Sequence, residues 1–363
     1  METINTYKCP CCGAPLVFVG QELHCDSCDN SFSLETINGL SEGDGGAGGQ
    51  SKYDWEHYEP RTYGSEDNIN LANYSCKSCG AEISGDDSLG AVVCPYCGQS
   101  TVVKGQFEGG LRPDYIIPFK VDKKGAMSVF EADFKKAPFL PDEFKAKKKI
   151  EEMSGVYVPF WMFDCDCDAF VSYTAQKISA WSDSEYEYTK TDHYKLYRQG
   201  GVGFANIPVD GSKKADDTYM EAVEPFDYND AVVFDGAYLS GYMADKYDVS
   251  AEESIERANE RVKNSVISVF EETTNDYTCV EAAGSCIEFS NGKIRYSLLP
   301  VWMLNIKYVD KVYKFAINGQ TGKVVGEYPV DKKKQWKYFG KVAAIAYAIA
   351  GVAAYFLYGQ GVI

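Results

Sequence analysis

Tyr74-Ser75-Cys76-Lys77-Ser78-Cys79-Gly80-Ala81, completed by Cys94-Pro95-Tyr96-Cys97-Gly98, is the stretch from which the fold is read. Two C-x-x-C pairs 14 residues apart offer four soft sulfur donors, which is what a tetrahedral zinc ion takes, and the gap fits a short hairpin between two knuckles. The same frame occurs earlier in Tyr7-Lys8-Cys9-Pro10-Cys11-Cys12-Gly13-Ala14. An apolar run from Leu16 to Val19 follows, then His24-Cys25-Asp26-Ser27-Cys28, with 12 residues between the pairs. The repeated Tyr-x-Cys-x-x-Cys-Gly-Ala frame predicts two copies of one module.

The expected metal ligands are therefore Cys9, Cys12, Cys25 and Cys28 in one β zinc ribbon and Cys76, Cys79, Cys94 and Cys97 in the other, holding two structural Zn2+ ions. Cys11 competes with Cys12; Gly13 after Cys12, matching Gly80 after Cys79, favours Cys12. Iron accepts the same four thiolates.

Charge argues against a nucleic-acid role for these modules. No Lys or Arg lies between Cys9 and Cys28, and Lys77 alone faces Glu82, Asp86 and Asp87 between Cys76 and Cys97. The whole chain carries a net charge of -17, which repels phosphate backbones. A structural or protein-binding role is expected, and a nucleic-acid-binding factor of replication or transcription is the alternative.

The 363 residues exceed what one core usually organises, and 27 Tyr with 19 Phe suit folded β-rich domains. Eight of the 13 cysteines fall into C-x-x-C pairs, and the polar stretch Met1 to Lys8 leads into no apolar signal region. Both features point to a reducing, cytoplasmic compartment for the bulk of the chain.

Outward from the ribbons, the glycine-dense stretch Ser41 to Gln50 reads as a flexible linker, on which the first ribbon would swing. Tyr53-Asp54-Trp55-Glu56-His57-Tyr58 reads as linker or as a short docking peptide. Ala126, Phe130 and Phe134 predict a helix over 125–136. Ile255, Ala258, Val262, Val266 and Val269 predict another over 251–270, opened by a Ser250/Glu253 capping box. Each precedes a similar strand opening, Tyr157-Val158-Pro159-Phe160-Trp161-Met162 and Leu298-Leu299-Pro300-Val301-Trp302-Met303. Tyr313 to Ile317, the turn Asn318-Gly319-Gln320-Thr321-Gly322 and Lys323-Val324-Val325 predict a hairpin; the turn lacks the first glycine of a phosphate loop.

The fold class expected is multidomain: two small β zinc ribbons, a central α+β region of two helix-on-antiparallel-sheet halves, and one C-terminal transmembrane helix. The boundaries are ribbon 1 over 1–37, linker 38–70, ribbon 2 over 71–105, halves 111–247 and 248–330, a basic segment 331–341 and the transmembrane helix 342–358. That last helix is read from 17 uncharged residues following Lys332, Lys333, Lys334, Lys337 and Lys341. The positive-inside rule then makes the chain a single-pass, tail-anchored protein of the cell membrane with residues 1–337 in the cytoplasm. Ala346, Ala350 and Ala354 would permit helix association and a homo-oligomer.

Other candidates are thinner. Asp164, Asp166 and Asp168 alternate with Cys165 and Cys167 and read as a solvated strand face, with cation binding the rival reading. Cys165, Cys167, Cys279 and Cys286 match no ribbon spacing and read as ordinary buried thiols. His24, His57 and His193 are too scattered for a triad, and no hydrolase or metalloprotease motif occurs, so no enzyme is expected.

The duplicated Cys-x-x-Cys-Gly ribbons, the Tyr157 to Met162 strand opening, the Asn318 to Val324 turn and the apolar tail resemble bacterial membrane-anchored proteins of the TFIIB-type zinc-ribbon family. The chain is also similar to the zinc-ribbon membrane protein encoded beside flotillin-like SPFH and phage-shock PspA-like proteins. The resemblance implies a scaffold or adaptor that meets SPFH or PspA-like partners in membrane-stress assemblies. A helicase label borne by some such proteins would need a phosphate loop that this chain lacks.

Overall fold

The computed structural model describes residues 7, 9, 15–19, 22–25, 31–33, 53–63, 71–86, 93–99, 102–106, 111–145, 152–309 and 311–359. The expected ligands Cys12 and Cys28, their neighbour Cys11 and the glycine-dense linker lie outside the described residues. In chain order the strands begin with β1 (Val17–Val19), β2 (Glu22–His24), β3 (Ser31–Ser33), β4 (Tyr53–Trp55), β5 (Leu71–Cys76), β6 (Glu82–Asp86), β7 (Val102–Gln106) and β8 (Tyr115–Ile116). Helix α1 (Lys123–Asp133), β9 (Ser154–Ser182), β10 (Glu187–Asp210), α2 (Asp217–Val223), β11 (Val232–Val233) and β12 (Met243–Asp245) follow. The chain ends on α3 (Ala251–Glu271), β13 (Cys279–Tyr308), β14 (Lys311–Asn318), β15 (Val324–Gly326) and α4 (Lys332–Gly359).

Strands hold 44% of the described residues against 27% in helices, so the protein is mostly β, and the expected α+β balance is corrected accordingly. The excess comes from β9 and β13, which run for 29 and 30 residues where strands of five or six are usual. The chain divides into two compact units, each drawn from three segments: Met1–Pro60, Phe160–Gly211 and Val249–Tyr296 in one, and Arg61–Pro159, Ser212–Asp248 and Ser297–Ile363 in the other.

In the first unit β1, β2 and β3 form an antiparallel sheet with Leu23 opposite both Phe18 and Phe32. Its buried Cys9, Leu23, Cys25 and Phe32 cluster with Phe170 of β9 and Cys286 of β13. The first ribbon is thus packed onto the long strands, where free swinging is expected from the sequence. β9 and β10 pair antiparallel from Phe160 opposite Asp210 to Ser182 opposite Glu187, with a bulge between Phe204 and Ile207. Against β10 lies α3. Its capping box is present: Ser250 Oγ accepts from the Glu253 amide at 3.2 Å and Glu253 Oε2 from the Ser250 amide at 3.0 Å. The buried face runs through Ser254, Ala258, Val262, Val266 and Phe270, leaving the expected Val269 exposed. Tyr53–Trp55, expected as linker or docking peptide, instead adds β4 parallel to β13. The Trp55 ring meets Phe163 at 5.1 Å and Phe289 at 5.9 Å, and its Nε1 donates to Asn259 at 2.8 Å.

In the second unit β5 lies between β6 and β7, both antiparallel to it. β6 pairs with β12, placing Ile83 opposite Asp245. β13, β14 and β15 form an antiparallel meander, and Ala126 and Phe130 of α1 are buried with Trp302, Leu304, Phe315 and Ile317. The expected hairpin is present, its turn held by Asn318 Oδ1 accepting from the Gln320 and Thr321 amides at 2.8 and 2.9 Å.

The transmembrane helix expected over 342–358 is corrected. The segment is helical within α4, but among the described residues no helix is long and apolar enough to cross a membrane. Five lysines lie in the first ten residues of α4, and the 17 uncharged residues behind them fall short of the roughly 20 that a span takes. Its start is fastened to the second unit: Lys334 Nζ pairs with Asp142 at 2.6 Å and Tyr338 meets Phe139 at 5.5 Å. The tail anchor, the membrane partnership and the single-pass cell-membrane location expected from that helix are withdrawn with it.

Candidate metal centre

Cys76 closes β5 and Cys94 opens the second knuckle, so the two C-x-x-C pairs sit on tight turns. Both turns have the same backbone solution. The Gly80 amide donates to the Cys76 carbonyl at 2.8 Å and the Gly98 amide to the Cys94 carbonyl at 2.9 Å. Each glycine is left-handed, with φ of 70° and 71°. Glycine takes that conformation without steric cost, which is why it follows the second cysteine of each pair.

The four Sγ atoms lie within 4.8 Å of one another. Cys76 and Cys97 are 3.7 Å apart and Cys79 and Cys94 3.6 Å apart. A tetrahedron with Zn–S bonds of about 2.3 Å has edges of about 3.8 Å, so the donor set fits a four-coordinate ion with no position left for substrate. Burial raises the Cys76 thiol, yet the Cys79 and Ser78 amides and the neighbouring thiols outweigh it and bring its pKa down to about 7. Burial pushes Cys94 above the usual thiol range, against the Cys97 and Tyr96 amides. The group would thus lose its first proton at Cys76, and a bound cation would displace the remaining thiol protons to solvent.

Three side chains distant in sequence, Lys214, Asn305 and Asp245, tie these knuckles to the rest of the second unit. Lys214 Nζ donates to the Cys79 carbonyl at 3.0 Å, and Asn305 Nδ2 to the Pro95 carbonyl at 2.6 Å. The Tyr96 hydroxyl donates to Asp245, which also accepts from Ser212 Oγ at 2.6 Å. Burial lifts the Asp245 carboxyl to about pH 7 although these hydroxyls and the Lys246 amide favour its charged form. Nothing near the cysteines in sequence marks these partners.

Of the other expected ligand set, Cys9 and Cys25 are both buried in one cluster. Of the four cysteines read as ordinary buried thiols, Cys165 and Cys167 lie 3.7 Å apart and are buried, and Cys286 is buried under the first ribbon, but Cys279 is exposed and the reading is corrected there. Among the described residues Cys76, Cys79, Cys94 and Cys97 are the group with metal-ligand geometry, and the aspartate strand joins no such group. Asp164 accepts from the Asn206 amide at 2.7 Å and pairs with Arg295, while Asp166 accepts from Asn291 Nδ2 at 2.8 Å. They line an open cleft of about 360 Å³ with Glu56, Phe204 and Lys293.

Fold and site together define a β-rich, two-unit protein with a four-cysteine knuckle pair able to hold a metal ion. The chain is similar to "uncharacterized protein YdjG" of Bacillus subtilis (strain 168), 33% identical over 330 aligned residues that cover 77% of this chain and 95% of that one. It belongs to the YdjG family. No protein-family model matches it, and no solved structure does.

Proposed function

We propose that this protein is a non-enzymatic scaffold in which two zinc ions clamp the two ribbons, and the β-rich body presents a surface to partner proteins. The convergence of the Cys76, Cys79, Cys94 and Cys97 sulfurs carries the reading. Four protein thiolates close the coordination shell, the pattern of structural rather than catalytic zinc. When bound, the ion supplies four bonds that hold the two knuckles together. Lys214, Asn305 and Tyr96 then join the clamped knuckles to the rest of the second unit. The second ion falls to Cys9, Cys12, Cys25 and Cys28, supported by the repeated sequence frame and the burial of Cys9 and Cys25. The resemblance of the ribbons points to SPFH, flotillin-like or PspA-like proteins as the partners.

The test is direct binding of the full chain to purified SPFH and PspA-like proteins. Association by the wild type that is lost in Cys94→Ser, without any turnover, is expected. Undiminished association in a Cys94→Ser chain shown to lack its zinc would overturn the clamp's role in scaffolding.

A further inference from the structure

The far end of the β9/β10 hairpin is unlike the rest of the first unit. Residues 177–191 are all exposed, so both faces of this two-stranded ribbon meet solvent. Trp181 stands opposite Tyr188 across the strands, their rings stacked with centroids 5.6 Å apart and planes at 13°. Cross-strand aromatic pairs stabilise hairpins, and that accounts for these two facing each other. It does not account for Tyr186, which lies in the turn, opposes no strand residue and is 63% exposed beside Tyr188. Trp181 also remains 53% exposed and Tyr188 40%.

The shape of the tip is fixed by its own hydrogen bonds. Asp183 Oδ1 accepts from the Glu185 and Tyr186 amides at 2.9 and 2.8 Å, and Oδ2 from the Tyr188 hydroxyl at 2.9 Å. Rigid, exposed Trp and Tyr rings are the composition of interaction hot spots, since they offer large contact area with little entropy to lose.

Charge selects the partner. Residues 181–188 carry Asp183, Glu185 and Glu187 and no Lys or Arg. Asp183 serves the turn, and the nearby Lys190 is paired with Asp192 at 2.8 Å; strand alternation puts Glu187 on the face opposite Tyr188, which leaves Glu185, in the turn with Tyr186, as the carboxylate open to a ligand on the rings. Negative ring faces bordered by carboxylates attract a guanidinium, which stacks on an aromatic plane while donating to carboxylates. Phosphate-bearing partners are repelled by the same charges.

We infer that the hairpin tip, through Trp181, Tyr186 and Tyr188 with Glu185, docks an arginine-bearing basic segment of a partner protein. The inference rests on the scaffold reading above and assigns it a surface.

The test uses the full-length chain and a labelled peptide of four Gly-Arg-Ser repeats, followed by fluorescence anisotropy, with a Gly-Lys-Ser peptide beside it. The wild type should bind the arginine peptide more tightly than the lysine one. A Trp181→Ala, Tyr186→Ala double variant should bind about tenfold more weakly with charge unchanged, and Glu185→Gln should weaken it more than Glu187→Gln on the opposite face. Trp181→Phe should keep most of the affinity. Unchanged zinc content and urea midpoint in these exposed-site variants establish that they are folded. No binding by the wild type, or equal binding by the ring variants, overturns the inference; the second result would mean diffuse attraction to an acidic chain. Tip-dependent self-association or capture of a neutral oligosaccharide would overturn it in favour of that occupant. SPFH or PspA-like binding that survives the tip variants but is lost in Cys94→Ser would sink the tip while leaving the scaffold reading intact.

Discussion

Lys214 Nζ lies 3.0 Å from the carbonyl oxygen of Cys79, so a residue 135 positions away fastens the first knuckle of the metal centre. Asn305 does the same for the second knuckle through Pro95. Because the Asn305 bond is part-buried and the Lys214 bond is exposed, the two should differ in weight. Asn305→Ala is expected to cost about 1–3 kcal/mol and Lys214→Ala about 0.5 kcal/mol, measured by urea unfolding of the zinc-loaded protein. Equal costs would mean that the knuckles are not held as described.

Gly98→Ala should destabilise more than Gly80→Ala. Both force a side chain into the left-handed region, about 1 kcal/mol each. At Gly98 the new Cβ would also lie 3.2 Å from Asn305 Cβ, whereas at Gly80 the nearest neighbour is the mobile end of Lys214 at 4.0 Å. Denaturation midpoints and the chelator concentration that strips zinc should rank the two variants in that order.

Asp245 gives a pH signature. Its folded pKa of about 7 stands above the ordinary 3.8, so the folded state holds this proton more tightly than the unfolded one. The contribution is fully present below about pH 4 and is lost as pH rises through 7, amounting to about 4 kcal/mol at most. Asp245→Asn, which still accepts from Tyr96 and Ser212, should remove that slope. Its stability relative to wild type should therefore improve between pH 4 and pH 8, as read from paired urea titrations.

Trp55, half-buried, should matter to the packing of the first unit. Trp55→Ala loses the contacts to Phe163 and Phe289 and the bond to Asn259, for about 3 kcal/mol. A change within experimental scatter in the unfolding midpoint would return Tyr53–Trp55 to the status of a linker.

Local features were legible in the sequence and long-range ones were not. The knuckles, the Ser250 capping box and the Asn318 turn each depend on residues within a few positions of one another. The bonds from Lys214, Asn305 and Asp245 span 135, 210 and 149 positions, and no periodicity reports them. β4 stayed hidden because its pairing partner, Phe289 to Gly292, lies more than 230 residues on, and a three-residue parallel strand has no alternation to show. β9 and β10 were underread because residues 177–191 are exposed on both faces and 155–163 are buried on both, which removes the polar-apolar alternation at each end. The α3 face drifted by one residue, from Val269 to Phe270, since spacing alone does not say which edge of an apolar stripe is covered. The 17-residue run near the end read as a span because it lacks charge, and length decided otherwise.

The central claim is that Cys76, Cys79, Cys94 and Cys97 hold one structural ion and the first ribbon a second. Elemental analysis of the purified full chain, beside Cys94→Ser and Cys25→Ser, tests it most directly. The account predicts two zinc ions in the wild type and one in each variant, with a four-thiolate absorption spectrum after cobalt replacement. A wild type without metal, or a Cys94→Ser chain that keeps the wild-type count, would contradict it.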